Sequence, residues 1–266
     1  MKIAITGAND GIGKETARQL LQKGHSVVML SRDSQKSRRA LEELRDLGDA
    51  ELLPCDLASL REVAATADQL KREHPGTQVL ICNAGVMSKV RKESRDGLEL
   101  TFAVNHLAHF LLVTRLLDLL QANAPSRVVV VSSMTHESGR VDLSDLQSER
   151  GYDGMGAYAQ SKRANVLFVH ELAKRLDGTG VTVNALHPGV IATKLLHEYF
   201  SGGAPASDGA KTSVYLATSQ EIGAVTGQYF RNQRPASSTA LKGDGETARR
   251  LWEQSEELIA AVLGKE

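Results

Sequence analysis

The sequence predicts an α/β fold, a doubly wound parallel sheet with helices on both faces. Short β-branched runs alternate with long amphipathic segments along the 266 residues, the pattern of repeated βαβ units. Val128-Val129-Val130-Val131 is apolar without alternation, as expected of a strand buried on both sides. A glycine-rich turn also follows the first strand-like run directly.

Strands are expected at 2–6, 26–30, 51–53, 78–82, 127–132, 181–186 and 226–230. Helices are expected at 11–24, 34–47, 59–73, 97–122, 157–177, 209–219 and 244–262. The chain opens on the strand-like Lys2-Ile3-Ala4-Ile5-Thr6, which predicts no cleaved leader ahead of it. Ser59, with Glu62 three residues on, predicts a capping box for the third helix, and His74-Pro75-Gly76 ends it. Ala124-Pro125 closes the long helix at 97–122, and Gly178 and Gly180 stop the one at 157–177. The charged residues around 246–257 read as the solvated face of a last helix. No repeat or composition shift marks a linker, so residues 1–266 are expected to form one domain, with a short lid around 193–211.

Lys+Arg equals Asp+Glu at 32 each, which gives no hint of nucleic acid or an anionic membrane as a partner. The most apolar stretch, 98–120, is broken by Glu99, Asn105, His106, His109, Arg115 and Asp118 and falls short of a membrane span. The two cysteines, Cys55 and Cys82, have no metal-ligand spacing, and no metal site is expected. These features favour a cytoplasmic protein.

After the first strand comes Thr6-Gly7-Ala8-Asn9-Asp10-Gly11-Ile12-Gly13. Such a loop can turn tightly, bring its backbone close to a pyrophosphate and open a helix whose free N–H groups face the anion. Gly7, Asn9, Asp10, Gly11, Ile12 and Gly13 are therefore candidate dinucleotide contacts. The second strand ends near Leu30 and is followed by Ser31-Arg32-Asp33, with Lys36 close behind. Arg32 and Lys36 suit a 2′-phosphate and favour NADP(H), while Asp33 could repel that phosphate if it turned inward. NAD(H) stays open as the alternative. Asp56, beside Leu57 after the third strand, is placed to meet an adenine amino group.

Tyr158 and Lys162 stand four residues apart in a helical run and so share a face. An ammonium there would favour the phenolate and help a tyrosine act as acid or base. Ser133 follows the fifth strand, at a carboxyl end where ligands of open α/β sheets bind, and its hydroxyl could polarise a substrate oxygen. Ser132 competes for that role. Asn83-Ala84-Gly85 ends the fourth strand, and Asn105 lies among apolar residues in the following helix. Asn105 could hold a backbone carbonyl and a water leading to Lys162, or be a satisfied structural amide. Pro188-Gly189, with Ile191 and Thr193 after it, suits backbone wrapped around a nicotinamide face. His106, His109, His136 and His187 read as packing or surface residues.

Taken in order, Thr6-Gly7…Gly11-Ile12-Gly13, Cys55-Asp56-Leu57, Asn83-Ala84-Gly85, Asn105, Ser133, Tyr158…Lys162, Pro188-Gly189 and Thr193 resemble the short-chain dehydrogenase/reductase family. The resemblance implies a Rossmann-type sheet of seven parallel strands in the order 3-2-1-4-5-6-7. It also implies a tetrad of Asn105, Ser133, Tyr158 and Lys162, with Tyr158 and Lys162 also meeting the cofactor. Within the family the chain looks most like the retinol-dehydrogenase-like branch. The segments that carry this include Ala157-Tyr158-Ala159-Gln160-Ser161-Lys162-Arg163-Ala164-Asn165 and Leu251-Trp252-Glu253-Gln254-Ser255. The likeness implies an NADP(H)-dependent enzyme interconverting an alcohol and a carbonyl of apolar, retinoid-like or steroid-like character, and suggests a homodimer. Two departures stand out: no N-terminal membrane anchor is expected from this sequence, and the segment from Thr193 to Lys211 is short for the branch. A non-catalytic NADP-binding redox sensor and a nucleotide-binding methyltransferase are the rival readings.

Overall fold

The computed structural model describes residues 1–192, 202–241 and 244–264. Its central sheet runs β3-β2-β1-β4-β5-β6-β7-β8. The strands are β1 Lys2–Thr6, β2 Ser26–Ser31, β3 Ala50–Pro54, β4 Thr77–Cys82, β5 Ser126–Val131, β6 Val181–His187, β7 Tyr229–Arg231 and β8 Arg234–Pro235. The first seven are parallel neighbours in the expected order. The eighth corrects the expectation of seven: two residues, antiparallel to β7, reached through Asn232 and Gln233 with φ of 51° and 61°. A hairpin this short has no hydrophobic periodicity to announce it.

The helices are α1 Gly11–Gln22, α2 Gln35–Arg45, α3 Leu60–Glu73, α4 Leu100–Phe102, α5 Ala108–Arg115, α6 Leu117–Ala122, α7 Gly154–Arg175, α8 Ala206–Thr218 and α9 Gly245–Leu263. Here too the sequence reading is corrected. The single helix expected at 97–122 is interrupted by a π-helical turn, Ala103–Leu107, and by a break at Leu116. The π turn carries Asn105, and such turns recur at functional sites. Of the predicted capping box, half forms: the Ser59 hydroxyl accepts from Glu62 N at 3.4 Å, while the Glu62 carboxylate accepts from Asp56 N at 3.2 Å.

The sheet divides two cores. Ile3, Ile5, Val129 and Val131 face α1, α2 and α8. Ala4, Val128 and Val130 face α3, α5, α7 and α9. Alternate residues of β5 thus bury into opposite layers, the physical content of its unbroken valine run. Trp252 of α9 seals the second layer, with its ring 4.7 Å from Phe110 and 5.8 Å from Phe168. No described helix is long and apolar enough to cross a membrane. The carboxyl ends of the seven parallel strands open on one side, where the candidate residues gather.

Candidate active site

The glycine loop joins β1 to α1. Gly7 has φ 68° and Gly11 φ 49°, backbone that side chains rarely adopt. At Gly13 a Cβ would stand 2.2 Å from Gly7 O and 2.4 Å from Asn83 Nδ2, so only glycine lets the helix start against the loop. Asp10, the N-cap of α1, gives its side chain to Lys36 and not to the helix. The first N–H groups of α1 are thus left without a side-chain cap, which suits an incoming phosphate.

Around the end of β2, Ser37 Oγ donates to Arg32 O at 2.6 Å and accepts from Asn9 Nδ2 at 2.9 Å, tying α2 to the loop. Asp33 does not turn inward: Arg38 holds it through two bonds of 2.8 Å. Arg32 is exposed and forms no ion pair among the described residues. Ser31 Oγ beside it is buried and has no hydrogen-bond partner. An orphan hydroxyl, a glycine cradle and an unengaged guanidinium in one row fit a phosphorylated dinucleotide. Asp56 is less available than expected, because its carboxylate takes Ala58 N at 3.1 Å and lies 3.3 Å from Arg95. Leu57 beside it is buried in the core.

Asn83 Nδ2 donates to Thr6 O at 2.9 Å, and Asn83 N and Ala84 N donate to Thr6 Oγ1 at 2.8 and 3.0 Å. The ends of β1 and β4 are therefore one unit. A Cβ on Gly85 would lie 3.4 Å from Lys162 Nζ and 3.5 Å from Asn105 Oδ1, so this glycine faces both. Asn105 is fully buried. Its Oδ1 accepts from Val86 N at 2.8 Å, and its Nδ2 donates to Val86 O and Ser161 Oγ, each at 2.9 Å. Both amide hydrogens are thus taken by the protein, and the side chain clamps the β4 loop to α7.

Ser132 and Ser133 part ways. Ser132 Oγ donates to Lys162 O at 2.7 Å inside the core. Ser133 lies against the Tyr158 phenol, and its hydroxyl partly offsets the phenol's loss of water. Lys162 is 3% exposed. Its Nζ lies 5.6 Å from the Tyr158 ring centre and donates to Val131 O at 3.0 Å. This corrects one expectation: the phenol is not lowered. Burial pushes it up to about 12, and burial pulls Lys162 down to about 8.

Beyond β6, Gly189 has φ 103° and Ile191 is buried. Ile12, Ile191 and Gly209 meet, since a Cβ on Gly209 would be 3.0 Å from Ile12 Cγ1 and 2.8 Å from Ile191 Cγ1. Ile191 also bridges to Ala204, so the described part of the expected lid is seated on the strand ends and runs into α8. Thr193 lies outside the described residues. A groove of about 440 Å³ between α5 and α9 is lined by Phe110, Leu111, Ile259 and Leu263 and holds none of these groups. Among the described residues no cluster could hold a metal ion.

The histidines pack, as expected, and the structure adds the hydrogen bonds that sequence reasoning did not foresee. His136 is buried, and its Nδ1 donates to Ser133 O at 2.6 Å. His187 Nδ1 accepts from Met134 N at 3.2 Å. His109 bonds to both Thr6 and Asn105. Spacing held one clue, because His109 follows Asn105 by four residues and shares its helix face.

The family profile of short chain dehydrogenases matches residues 1–203. Retinol dehydrogenase 14 of Mus musculus is 41% identical over 98% of this chain and 86% of its own length. An uncharacterised protein from Mycobacterium paratuberculosis superposes with a TM-score of 0.81 at 35% identity, covering 97% of this chain and 92% of its own. A candidate NAD(P)-dependent gluconate 5-dehydrogenase from Beutenbergia cavernae, solved with NADP bound at low occupancy, has a TM-score of 0.73 at 26% identity. That likeness covers 87% of this chain and 94% of the other.

Proposed function

The chain belongs to the short-chain dehydrogenase family, in its retinol-dehydrogenase-like branch, and from that premise we propose that it is an NADP(H)-dependent oxidoreductase in which Tyr158 transfers the proton between an alcohol and a carbonyl. The observation that carries this reading is the placement of Ser133 at the Tyr158 hydroxyl and of Lys162 Nζ 5.6 Å from the Tyr158 ring centre, beside a glycine cradle at the carboxyl ends of the strands.

Gly7, Asn9, Asp10, Gly11, Ile12 and Gly13 would hold the pyrophosphate. Arg32 and Lys36 would meet the 2′-phosphate. Asn83, Ala84, Gly85, Pro188, Gly189 and Ile191 would line the nicotinamide side, and Asp56 would border the adenine. The bound nicotinamide supplies or accepts the hydride. Ser133 donates a hydrogen bond to the carbonyl oxygen and keeps it beside the phenol. As hydride reaches the carbon, Tyr158 gives its proton to that oxygen, and alcohol forms. In the other direction Tyr158, ionised, takes the alcohol's proton. Lys162 lends positive charge to whichever oxygen is anionic. Asn105 fixes the helix that carries both.

NADPH and NADH oxidation by the purified chain with a panel of apolar aldehydes and ketones tests the reading. NADPH should be consumed with at least one carbonyl and preferred over NADH. Arg32→Ala should raise the NADPH KM at least about tenfold while leaving the NADH KM within about twofold, a loss on the scale of one charge-assisted contact. Absence of NADPH binding, or equal changes for the two cofactors, would contradict it.

A further inference from the structure

His109 is the second residue of α5 and is 1% exposed. Its Nδ1 lies 3.0 Å from Asn105 O, and its Nε2 lies 2.9 Å from Thr6 Oγ1. A carbonyl only accepts, so Nδ1 carries the ring proton and Nε2 the lone pair. Thr6 supplies a consistent second half. Its oxygen already accepts from Asn83 N and Ala84 N, so its hydrogen must leave toward His109 Nε2 or toward Ile81 O, which is farther at 3.4 Å. One directed chain results, from the N–H groups ending β4, through the Thr6 hydroxyl and the His109 ring, to the carbonyl of Asn105.

That chain ends on the π turn whose side chain holds Val86 and Ser161. Ser161 in turn donates to Tyr158 O at 2.7 Å and precedes Lys162. We propose that His109 is a positioning residue: as a neutral Nδ1–H ring it fixes the Asn105 turn against the β1 and β4 ends, and so sets where Lys162 stands relative to Tyr158. This rests on the reading that Tyr158 and Lys162 transfer the proton.

Two substitutions separate the bonds. In His109→Asn the amide nitrogen can take the place of Nδ1 and donate to Asn105 O. In His109→Phe the ring volume stays and both bonds go. His109→Phe should lower kcat at least about tenfold and shift the pH profile of kcat, with the NADPH Kd by fluorescence titration within about threefold of the wild type. His109→Asn should restore kcat to within about threefold. A merely structural histidine predicts a different result: both variants lose thermal stability alike, and kcat per folded site and its pH profile stay put. That outcome overturns the proposal. So does a His109→Phe variant that loses NADPH affinity without losing kcat.

Nitrogen NMR of the wild-type imidazole asks the question without any variant. The Nδ1–H tautomer at neutral pH supports the proposal, and an Nε2–H ring overturns it. Tyr158→Phe is the reference. A retained rate there removes the parent reading, whereas the tautomer result bears on His109 alone.

Discussion

Tyr158 and Lys162 are one helical turn apart, yet their chemistry is set less by each other than by loss of water. The phenol is pushed up to about 12 and the ammonium pulled down to about 8, each mainly by burial. Tyr158 therefore carries its proton throughout the neutral range, ready to protonate a carbonyl. Carbonyl reduction should stay level with pH up to about 7 and fall as Lys162 loses its charge around pH 8. Alcohol oxidation needs the phenolate and should climb by up to about tenfold per pH unit between about 7 and 9. Initial rates in both directions check this, and an oxidation rate flat over that range contradicts it. The residue pair was legible because i, i+4 spacing fixes a shared face. The direction of the pKa shift was not, because it depends on how much water the folded strand ends exclude.

At the scale of elements, the glycine turn between β1 and α1 was readable before any coordinates, since three glycines in seven residues after a strand mark a tight turn into a helix. Gly13→Ala should lower NADPH affinity at least about tenfold and destabilise the fold by about 1–3 kcal/mol, the usual range for an overpacked site. The added methyl meets two atoms that cannot retreat, Gly7 O and Asn83 Nδ2. Calorimetric titration and a thermal melt measure the two effects, and unchanged affinity would show that the close approach does not matter to the ligand. The helix around Asn105 was misread for a plain reason. Hydrophobic periodicity tells buried from exposed but does not distinguish a 3.6-residue turn from one wider π turn embedded in it. Strand β8 escaped because it is two exposed residues long. The alternation of a strand posed the Ser132–Ser133 question, and the bond from Ser132 Oγ to Lys162 O shows that Ser132 is engaged in the core.

Over the whole molecule, buried histidines bridge elements: His109 ties α5 to the end of β1, His187 ends β6, and His106 joins the π turn to α7 and α9. His106, His109 and His187 are each pulled down to about 4, mainly by burial. Their folded values lie below the ordinary 6.5, so the unfolded chain takes up protons first on acidification. Their share of stability is fully present above about pH 6.5 and is lost as pH falls through about 4, at about 3 kcal/mol per histidine. The thermal midpoint should drop steeply across that window, and a midpoint constant from pH 7 to 4.5 would contradict the burial of these rings. None of this was legible from composition, because a histidine on an apolar helix face looks the same whether it packs or bridges three elements. The order of the seven parallel strands, by contrast, came from the resemblance, and the valine-rich centre of the sheet from residue pattern alone.

The account turns on the proton held by Tyr158, and Tyr158→Phe addresses it most directly. The variant keeps the ring, the packing and the glycine cradle and removes only the hydroxyl. With a carbonyl that the wild type reduces, single-turnover NADPH oxidation should fall by about 100-fold or more, the usual contribution of a placed acid, while NADPH affinity stays within about threefold. A variant that binds NADPH normally and retains most of the wild-type rate would mean that the proton comes from elsewhere.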